Sequence, residues 1–206
     1  MTATEVNGGF TATTTSTLRL HAGYTTTSLT ATESGNLTGS NANDLIQGGN
    51  GDNTLSGGNG NDLIYGGDGN DIINGGNGND VLFGGAGNDT IYGGNGNDRI
   101  SGGAGNDNLY AGSNGTPDNT VDVFVWSLGD QGVAGTPAVD TIYGFGTGPA
   151  NTNNGGDILD LRDLLQDTLT ILAPAAHAKQ LELVSLVYRD TPLALVGDPL
   201  RLKQIL

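Results

Sequence analysis

A nine-residue unit, Gly-Gly-x-Gly-x-Asp-x-apolar-x, repeats seven times without a break over residues 48–110. A degenerate eighth copy, residues 39–47, precedes the series. The glycines and the Asn-Asp pair of each unit suit a tight turn, because glycine adopts positive φ at little steric cost. The three residues that follow suit a strand whose middle residue points to one face. A phase this strict predicts stacked strands and turns.

The eighth position of each unit carries an aliphatic side chain. One such residue in nine cannot be buried within an isolated unit, so the units must stack to bury it. With 37 glycines among 206 residues and 5% aromatic residues, a large conventional core is not expected. The stacked core residues are Ile46, Leu55, Ile64, Ile73, Leu82, Ile91, Ile100 and Leu109.

The sixth position supplies one carboxylate per turn. Calcium takes six to eight oxygen ligands from carboxylates and carbonyls, and glycine-rich turns expose carbonyls beside each carboxylate. The repeat offers neither sulfur nor imidazole, so a zinc or copper site is not expected. Asn53, next to Asp52, occupies the one position without a carboxylate. The carboxylates are Asp44, Asp62, Asp71, Asp80, Asp89, Asp98 and Asp107.

This unit resembles the calcium-binding nonapeptide of RTX, or hemolysin-type, proteins. The resemblance implies a mainly β fold, a parallel β-roll (a β-helix or solenoid) in which two units form one coil and alternate strands build two parallel sheets. Pairing each of the eight turns with the next turn on the same side gives about six Ca²⁺ sites. One sheet would contain Ile46, Ile64, Leu82 and Ile100, facing Leu55, Ile73, Ile91 and Leu109 in the other.

The metal ligands implied by the resemblance are turn residues. The side-chain ligands are Asp44, Asp52, Asn53, Asp62, Asp71, Asp80, Asp89, Asp98 and Asp107. The glycines of the sites are Gly48, Gly51, Gly57, Gly60, Gly66, Gly69, Gly75, Gly78, Gly84, Gly87, Gly93, Gly96, Gly102 and Gly105. The competing interpretation is a disordered Gly/Asn-rich linker. The fixed phase argues against it in the presence of calcium, but disorder is the expected state of the repeats without calcium.

The formal charge of −15 limits the partners. It disfavours nucleic acid, which needs a basic surface, and also anionic membranes. Arg99 is the only lysine or arginine between Leu20 and Leu161. About six divalent ions would supply roughly +12 and couple folding to metal binding. The chain has no cysteine, shows no signal-peptide pattern at its N-terminus and has no stretch of roughly 18 apolar residues that would insert in a membrane.

Four segments are expected from the changes in composition. Residues 1–36 are rich in threonine and read as an N-terminal strand or cap segment, with a disordered terminus as the alternative. Residues 37–118 form the β-roll, beginning with a degenerate rung at Leu37, nine residues before Ile46. Residues 119–166 form a β-rich cap, and residues 167–206 a short α/β tail.

Three blocks after the repeats resemble the type I secretion C-terminal target domain that ends many large RTX adhesins. They are Asp-Val-Phe-Val-Trp at residues 122–126, Asp-Thr-Ile-Tyr-Gly-Phe at 140–145 and Gly-Asp-Ile-Leu-Asp-Leu-Arg-Asp-Leu-Leu at 156–165. The resemblance implies an ABC transporter as a transient partner. The alternative is a strand-rich cover for the open end of the roll, and both can hold together. Asp122, Asp140 and Asp157 remain open between calcium ligation and turn or cap roles.

Residues 161–206 are similar to a piece of the hybrid sensor histidine kinases, the piece between the dimerisation helices and the N box. No N box or glycine-rich nucleotide box follows, and His177 does not match the phosphoacceptor motif, so ATP binding is not expected. Both resemblances run through residues 161–166, which suggests a chimeric C-terminus. The alternative is a divergent tail that folds as helix, two strands and helix, and packs on the roll or mediates self-association.

No enzyme is expected from this sequence. His21 and His177 are the only histidines, and no His-Glu-x-x-His site occurs. There is no Gly-x-Ser-x-Gly elbow and no nucleotide loop. The expected function is a calcium-binding module of a type I secreted, adhesin-like protein, extracellular or at the bacterial surface, that folds on calcium binding after export. The alternative is an accessory tail of a secreted toxin or hydrolase.

Overall fold

The computed structural model describes residues 3–6, 9–12, 17–19, 27–31, 35–113, 120–127, 130, 132–133, 136–146 and 156–161. Side chains are described within residues 35–113, 120–127, 130, 138–146 and 156–161. Every regular element in these ranges is a β-strand. None of them contains a helix able to cross a membrane. The predicted α/β tail of residues 167–206 lies outside the described residues.

Eighteen strands are present in the described ranges. They are β1 (Ala3–Val6), β2 (Gly9–Ala12), β3 (Thr17–Arg19), β4 (Thr27–Ala31), β5 (Asn36–Thr38), β6 (Asp44–Gln47), β7 (Thr54–Asn59), β8 (Leu63–Asp68), β9 (Ile72–Asn77), β10 (Val81–Ala86), β11 (Thr90–Asn95), β12 (Arg99–Ala104), β13 (Asn108–Tyr110), β14 (Val123–Val125), β15 (Gly132–Val133), β16 (Thr136–Pro137), β17 (Thr141–Tyr143) and β18 (Ile158–Asp160).

Alternate strands enter two parallel sheets, as a two-unit coil requires. The first sheet has the order β1-β2-β4-β6-β8-β10-β12-β14-β18 and the second the order β17-β13-β11-β9-β7-β5-β3. All neighbours in the two sheets pair in parallel except β1 and β2, which are antiparallel. A separate antiparallel pair joins β15 and β16. The predicted parallel β-roll is therefore confirmed.

A single file of aliphatic side chains from each sheet forms the core. Leu82 pairs with Ile64 and Ile100 in the first sheet. In the second sheet Ile91 pairs with Ile73 and Leu109. The division of the eighth-position residues between two facing sheets is as predicted. Each of them is 0–1% exposed.

The N-terminal strands extend the same two sheets. Leu37 in β5 pairs with Leu55 and is fully buried, which confirms the predicted extra rung. Ahead of it, β2 and β4 continue the first sheet and β3 continues the second. Only β1, antiparallel to β2, departs from the parallel arrangement in this part of the chain. Whether residues 1–36 form a separate segment remains a prediction.

The strands after the repeats also continue the sheets. Phe124 in β14 pairs with Ile100 and with Leu159 of β18, and is fully buried. Ile142 in β17 pairs with Leu109. Phe124 thus lies in register as a further rung, because its neighbours supply the same parallel hydrogen-bonding edge as a repeat does. Whether residues 119–166 act as a cap remains a prediction.

Candidate metal centre

A ladder of sixth-position aspartates runs along the inner side of the turns. Asp80 Oδ1 accepts the backbone N–H of Asp62 at 2.7 Å, and Asp89 Oδ1 accepts that of Asp71 at 2.8 Å. The same bond joins turns 18 residues apart throughout the repeats, with Asn53 donating to Asp71 in place of an aspartate. The side chains concerned are 0–3% exposed. Oδ1 of each carboxylate in these bonds is thus held by a backbone N–H of the preceding coil.

The second carboxylate oxygen, Oδ2, is buried and lacks a donor in most of these turns. No hydrogen-bond donor in the described ranges reaches Oδ2 of Asp62, Asp71, Asp80, Asp89 or Asp107. A buried charge without a partner is costly, since its desolvation is not compensated. Buried carboxylate oxygens therefore recur at regular intervals with no hydrogen-bond donor from the described residues.

Beside each of these oxygens lies a small space next to the Cα atom of the first glycine of the unit, and we call this space the cradle. At Gly57, a Cβ atom would lie within 3.0 Å of both Asp62 Oδ2 and the carbonyl oxygen of Gly75, in the next coil on the same side. The arrangement repeats at Gly66 and Gly84 with their own aspartates and the carbonyls 18 residues on. Only glycine leaves this space open, so a carboxylate oxygen and a carbonyl oxygen converge on it.

Left-handed glycines distinguish these turns. The φ angles of Gly58 and Gly60 are 112° and 122°, and the second and fourth positions of every later unit are alike. We call the turns with this backbone the open turns; they comprise residues 57–62, 66–71, 75–80, 84–89, 93–98 and 102–107. The fourth-position glycines also stack closely, with Gly96 against the carbonyl of Gly78.

The first two turns, residues 39–44 and 48–53, are different, and we call them the closed turns. Ser40 donates its N–H to Asp44 Oδ2 at 2.6 Å and its hydroxyl to the same carboxylate. Gly49 donates its N–H to Asn53 Oδ1 at 2.7 Å, and Asn53 Nδ2 donates to the carbonyl of Gly51. These turns supply their own donors to the sixth-position side chain.

The predicted ligands are thus not equivalent in the structure. Asp62, Asp71, Asp80, Asp89, Asp98 and Asp107 lie in open turns, with Gly57, Gly66, Gly75, Gly84, Gly93 and Gly102 at the cradles and Gly60, Gly69, Gly78, Gly87, Gly96 and Gly105 on the outer corners. Asp44, Gly48, Gly51 and Asn53 lie in closed turns. Asp52 is exposed and accepts the N–H of Asn70, at the base of an outer column of side chains away from the cradles. Ligation by any of these residues remains a prediction.

Burial changes the acidity of the carboxyl groups. It raises the pKa of Asp62 and Asp89 to about 7, and neighbouring ladder carboxylates add to the rise while a backbone hydrogen bond opposes it. Burial likewise raises the pKa of Asp71 and Asp80 to about 6. The pKa values of Asp107 and Asp130 rise for the same reason, and that of Asp140 rises to about 7. Each shift reports a site that disfavours negative charge unless a cation offsets it.

The donor set fits calcium. It consists of carboxylate and carbonyl oxygens, the ligands of a hard cation with flexible geometry. Among the side chains that the structure describes, no three acidic, imidazole or thiol groups converge closely enough to hold a metal by themselves. Backbone carbonyls would have to complete a metal site here, and the Gly75 carbonyl, which converges with Asp62 Oδ2 on the Gly57 cradle, is placed to do so.

Sequence reasoning left three residues of the ladder undecided. Asp122 Oδ1 accepts the N–H of Asp98, and Asp140 Oδ1 accepts that of Asp107, both at 2.8 Å. Asp157 Oδ1 in turn accepts the N–H of Asp122. These three pairs are 24, 33 and 35 residues apart, so the continuation of the ladder is not visible as an 18-residue period in the sequence. Ser40 was missed entirely, although a serine in the place of the second glycine marks a turn with its own donor.

Comparison with known proteins gives two separate findings. Residues 38–73 and 74–109 match the family model for the RTX calcium-binding nonapeptide repeat, in four copies each. A segment of 47 residues is 96% identical to the sensor histidine kinase GacS of Pseudomonas protegens and 94% identical to the sensor protein GacS of Pseudomonas syringae pv. syringae. That segment is 23% of this chain, and the chain spans about 5% of the length of either relative. No solved structure gives a significant match.

Proposed function

We propose, on the premise that residues 38–109 are RTX calcium-binding repeats, that this chain is the calcium-dependent module of a protein exported by type I secretion and used outside the cell in an adhesin-like role. One observation carries the calcium-dependent part: Oδ2 of Asp62 and Asp80, like that of Asp71 and Asp89, is buried without a donor from the described residues, beside a cradle that only glycine keeps open. The turns from Asp62 to Asp107 are the proposed sites.

The residues of the open turns have distinct tasks in this proposal. Oδ1 of each aspartate accepts a backbone N–H of the preceding coil and so holds the two coils in register, and Oδ2 faces the cradle. The first glycine of the unit keeps the cradle free of a side chain, and the glycine 18 residues later supplies a carbonyl oxygen. Calcium, when bound, supplies the positive charge that these buried oxygens lack. Mg²⁺ fits less well, because it demands near-ideal octahedral geometry and keeps its waters.

Folding and metal binding become one event in this arrangement. Without a cation, stacked carboxylates repel each other in a poorly solvated space, and the acidic repeats stay extended enough to pass a secretion channel. At the millimolar calcium outside the cell, sites of the extracellular affinity class fill and the roll closes. Folding after exit prevents return of the chain.

The division into an N-terminal segment, the roll, a secretion-target segment and a kinase-like tail is part of the proposal. High identity to GacS over 47 residues, next to RTX repeats, supports a hybrid chain. Sequencing the source locus across residues 160–167 tests the hybrid. A single native reading frame through that junction, in independent isolates, would contradict an artefact of cloning or assembly.

The test of the calcium switch is a titration of the purified chain followed by far-ultraviolet circular dichroism. We expect a cooperative gain of β-signal with calcium, its loss with excess EGTA, and little response to the same concentration of magnesium. An equal β-signal and equal resistance to protease with and without calcium would overturn the proposed function.

A further inference from the structure

We propose that the roll holds a divalent cation outside its repeats, between the last repeat turn, at Asp107, and the turn of Asp140. The inference rests on the proposed function, because the cation is the same, but it assigns a site to a segment beyond the nonapeptide repeats. The occupant is a hard, oxygen-seeking ion of the calcium type.

Backbone geometry places Asp140 where the next repeat aspartate would stand. Its Oδ1 accepts the N–H of Asp107 at 2.8 Å, and Thr141 donates its N–H to the carbonyl of Asp107 at 2.8 Å. The repeats show the same two bonds between turns, as between Asp89 and Asp107, where Asn108 donates to the carbonyl of Asp89. The 33-residue spacing is therefore a loop inserted into an unbroken ladder.

The buried Oδ2 atom of Asp107 faces the space between the two turns. Asp107 is 1% exposed, and no donor from the described part of the chain reaches its Oδ2. This oxygen lies against Gly102, in the same position as Asp62 Oδ2 against Gly57. The last repeat thus presents a half-built cradle to the coil that carries Asp140.

The charges around this space are all negative. The carboxyl groups of Asp107 and Asp140 are close enough to hydrogen-bond when one is protonated, and the carboxylate of Asp130, itself 8% exposed, acts on both. Asp130 Oδ2 accepts the N–H of Ser127. Within the described side chains Arg99 is the only lysine or arginine, and it pairs with Asp160 at 3.8 Å. Both lie in the first sheet, whereas β13 and β17, which follow Asp107 and Asp140, lie in the second. The two carboxylates at this end, Asp107 and Asp140, are oxygen ligands of the kind that calcium prefers.

The competing explanation is a carboxyl pair that shares a proton and serves only as a cap. Bound calcium is therefore counted, by native mass spectrometry and equilibrium dialysis at saturating calcium, in the full chain and in Asp140→Asn. Asparagine keeps the oxygen that accepts the N–H of Asp107 but removes the charge. Asp68→Asn is the matched control, because Asp68 is exposed at the third position of its unit, where Asn59 and Asn77 stand in others.

We expect Asp140→Asn to bind one ion fewer than the wild type and Asp68→Asn to bind the same number. In the wild type, calcium should also slow hydrogen exchange in the peptide covering residues 138–146. If Asp140→Asn fails to fold, the exchange result decides alone. An unchanged count in a folded Asp140→Asn, or repeats that calcium protects while residues 138–146 are not protected, would overturn this site and leave the proposed function intact. A wild type that binds no calcium would instead end the proposed function.

Discussion

The closed and open turns share one sequence template but satisfy their buried side chains differently. In the closed turns, Ser40 and Gly49 donate N–H groups to Asp44 and Asn53. In the open turns, the second glycine has positive φ, as at Gly58 with 112°, and the corresponding Oδ2 receives no such bond. The difference lies in the backbone conformation at the second position of the unit, and it determines whether the turn itself donates an N–H to the sixth-position side chain.

From this contrast we predict that the roll has a part that orders without metal, the closed turns, and a part that orders with it, the open turns. The closed turns stand on the N-terminal side, next to β5 and the fully buried Leu37. We expect them to offer the open turns a fixed hydrogen-bonding edge. A solenoid adds coils to an existing neighbour more readily than it starts a coil, because each repeat contacts only its neighbours.

Removing calcium should produce the largest difference between the two kinds of turn. At a calcium concentration ten times the dissociation constant, each site contributes about 1.4 kcal/mol, so six sites contribute about 8 kcal/mol, comparable to the whole stability of a domain. Hydrogen exchange in EGTA should therefore accelerate strongly in residues 57–107 and less in residues 36–55. Equal acceleration in both regions would show that the closed turns have no independent order.

Acidification without metal should restore part of that order. The pKa values of Asp62 and Asp89 rise to about 7, and those of Asp71 and Asp80 to about 6, from the ordinary value of 3.8. Between these values the folded chain binds protons that the unfolded chain does not, so stability increases as the pH falls through 7 and levels off below 3.8. With calcium present the sign reverses, because protons compete for the ligands.

The measurement is circular dichroism of the calcium-depleted chain from pH 8 to pH 4. Asp62→Asn combined with Asp89→Asn is the matched variant, and it should show a smaller response because two of the titrating groups are gone. A β-signal that falls steadily on acidification of the calcium-depleted wild type would contradict the assignment of buried, unbalanced carboxylates.

Gly76→Ala tests the backbone difference directly. Gly76 has a φ of 112°, and a Cβ there would meet the carbonyl of Gly58. We expect a loss of about 2 kcal/mol in the unfolding free energy of the calcium-bound chain. Gly49→Ala is the control, since Gly49 is not among the left-handed glycines, and should cost less than about 1 kcal/mol. Urea unfolding measures the unfolding free energy of both variants. Equal losses would contradict the proposed difference in backbone conformation between open and closed turns.

Asp89→Asn should have the smallest effect, and its sign depends on calcium. Without metal the amide removes a buried charge, so the variant should be more stable than the wild type. With metal it should lose about 1.4 kcal/mol of the calcium-dependent stabilisation, the contribution of one site. Asp44→Asn, in a closed turn, should leave the calcium-dependent part unchanged. Thermal unfolding with calcium and in EGTA distinguishes the two variants, and identical behaviour would contradict the comparison.

The period of the sequence was sufficient to predict the sheets and the core. Eighth-position residues such as Ile64 and Leu82 occur every nine residues, and parallel pairing 18 residues apart follows from two units per coil. Leu37 extended the same phase and was predicted as a rung. The sheets and the core depend only on the spacing of these residues, which can be read from the sequence.

The site was less predictable because its electrostatics depends on backbone angles and on loop length. Asp52 and Asn53 are neighbours, yet only Asn53 is buried and Asp52 lies on the exposed column. The residue types alone do not predict that the N–H of Gly49 donates to the side chain of Asn53. Asp122 and Asp140 join the ladder only after loops of unequal length. A search for a fixed period therefore does not find them.

A core of one aliphatic residue per strand lets the molecule change its length in whole steps. Inserting or deleting 18 residues adds or removes one coil and moves the far end by about 4.8 Å, the distance between neighbouring strands. Leu82 would meet the same kind of neighbour above and below whatever the number of coils. The number of repeat copies therefore sets the distance between the two ends of the roll in steps of one coil.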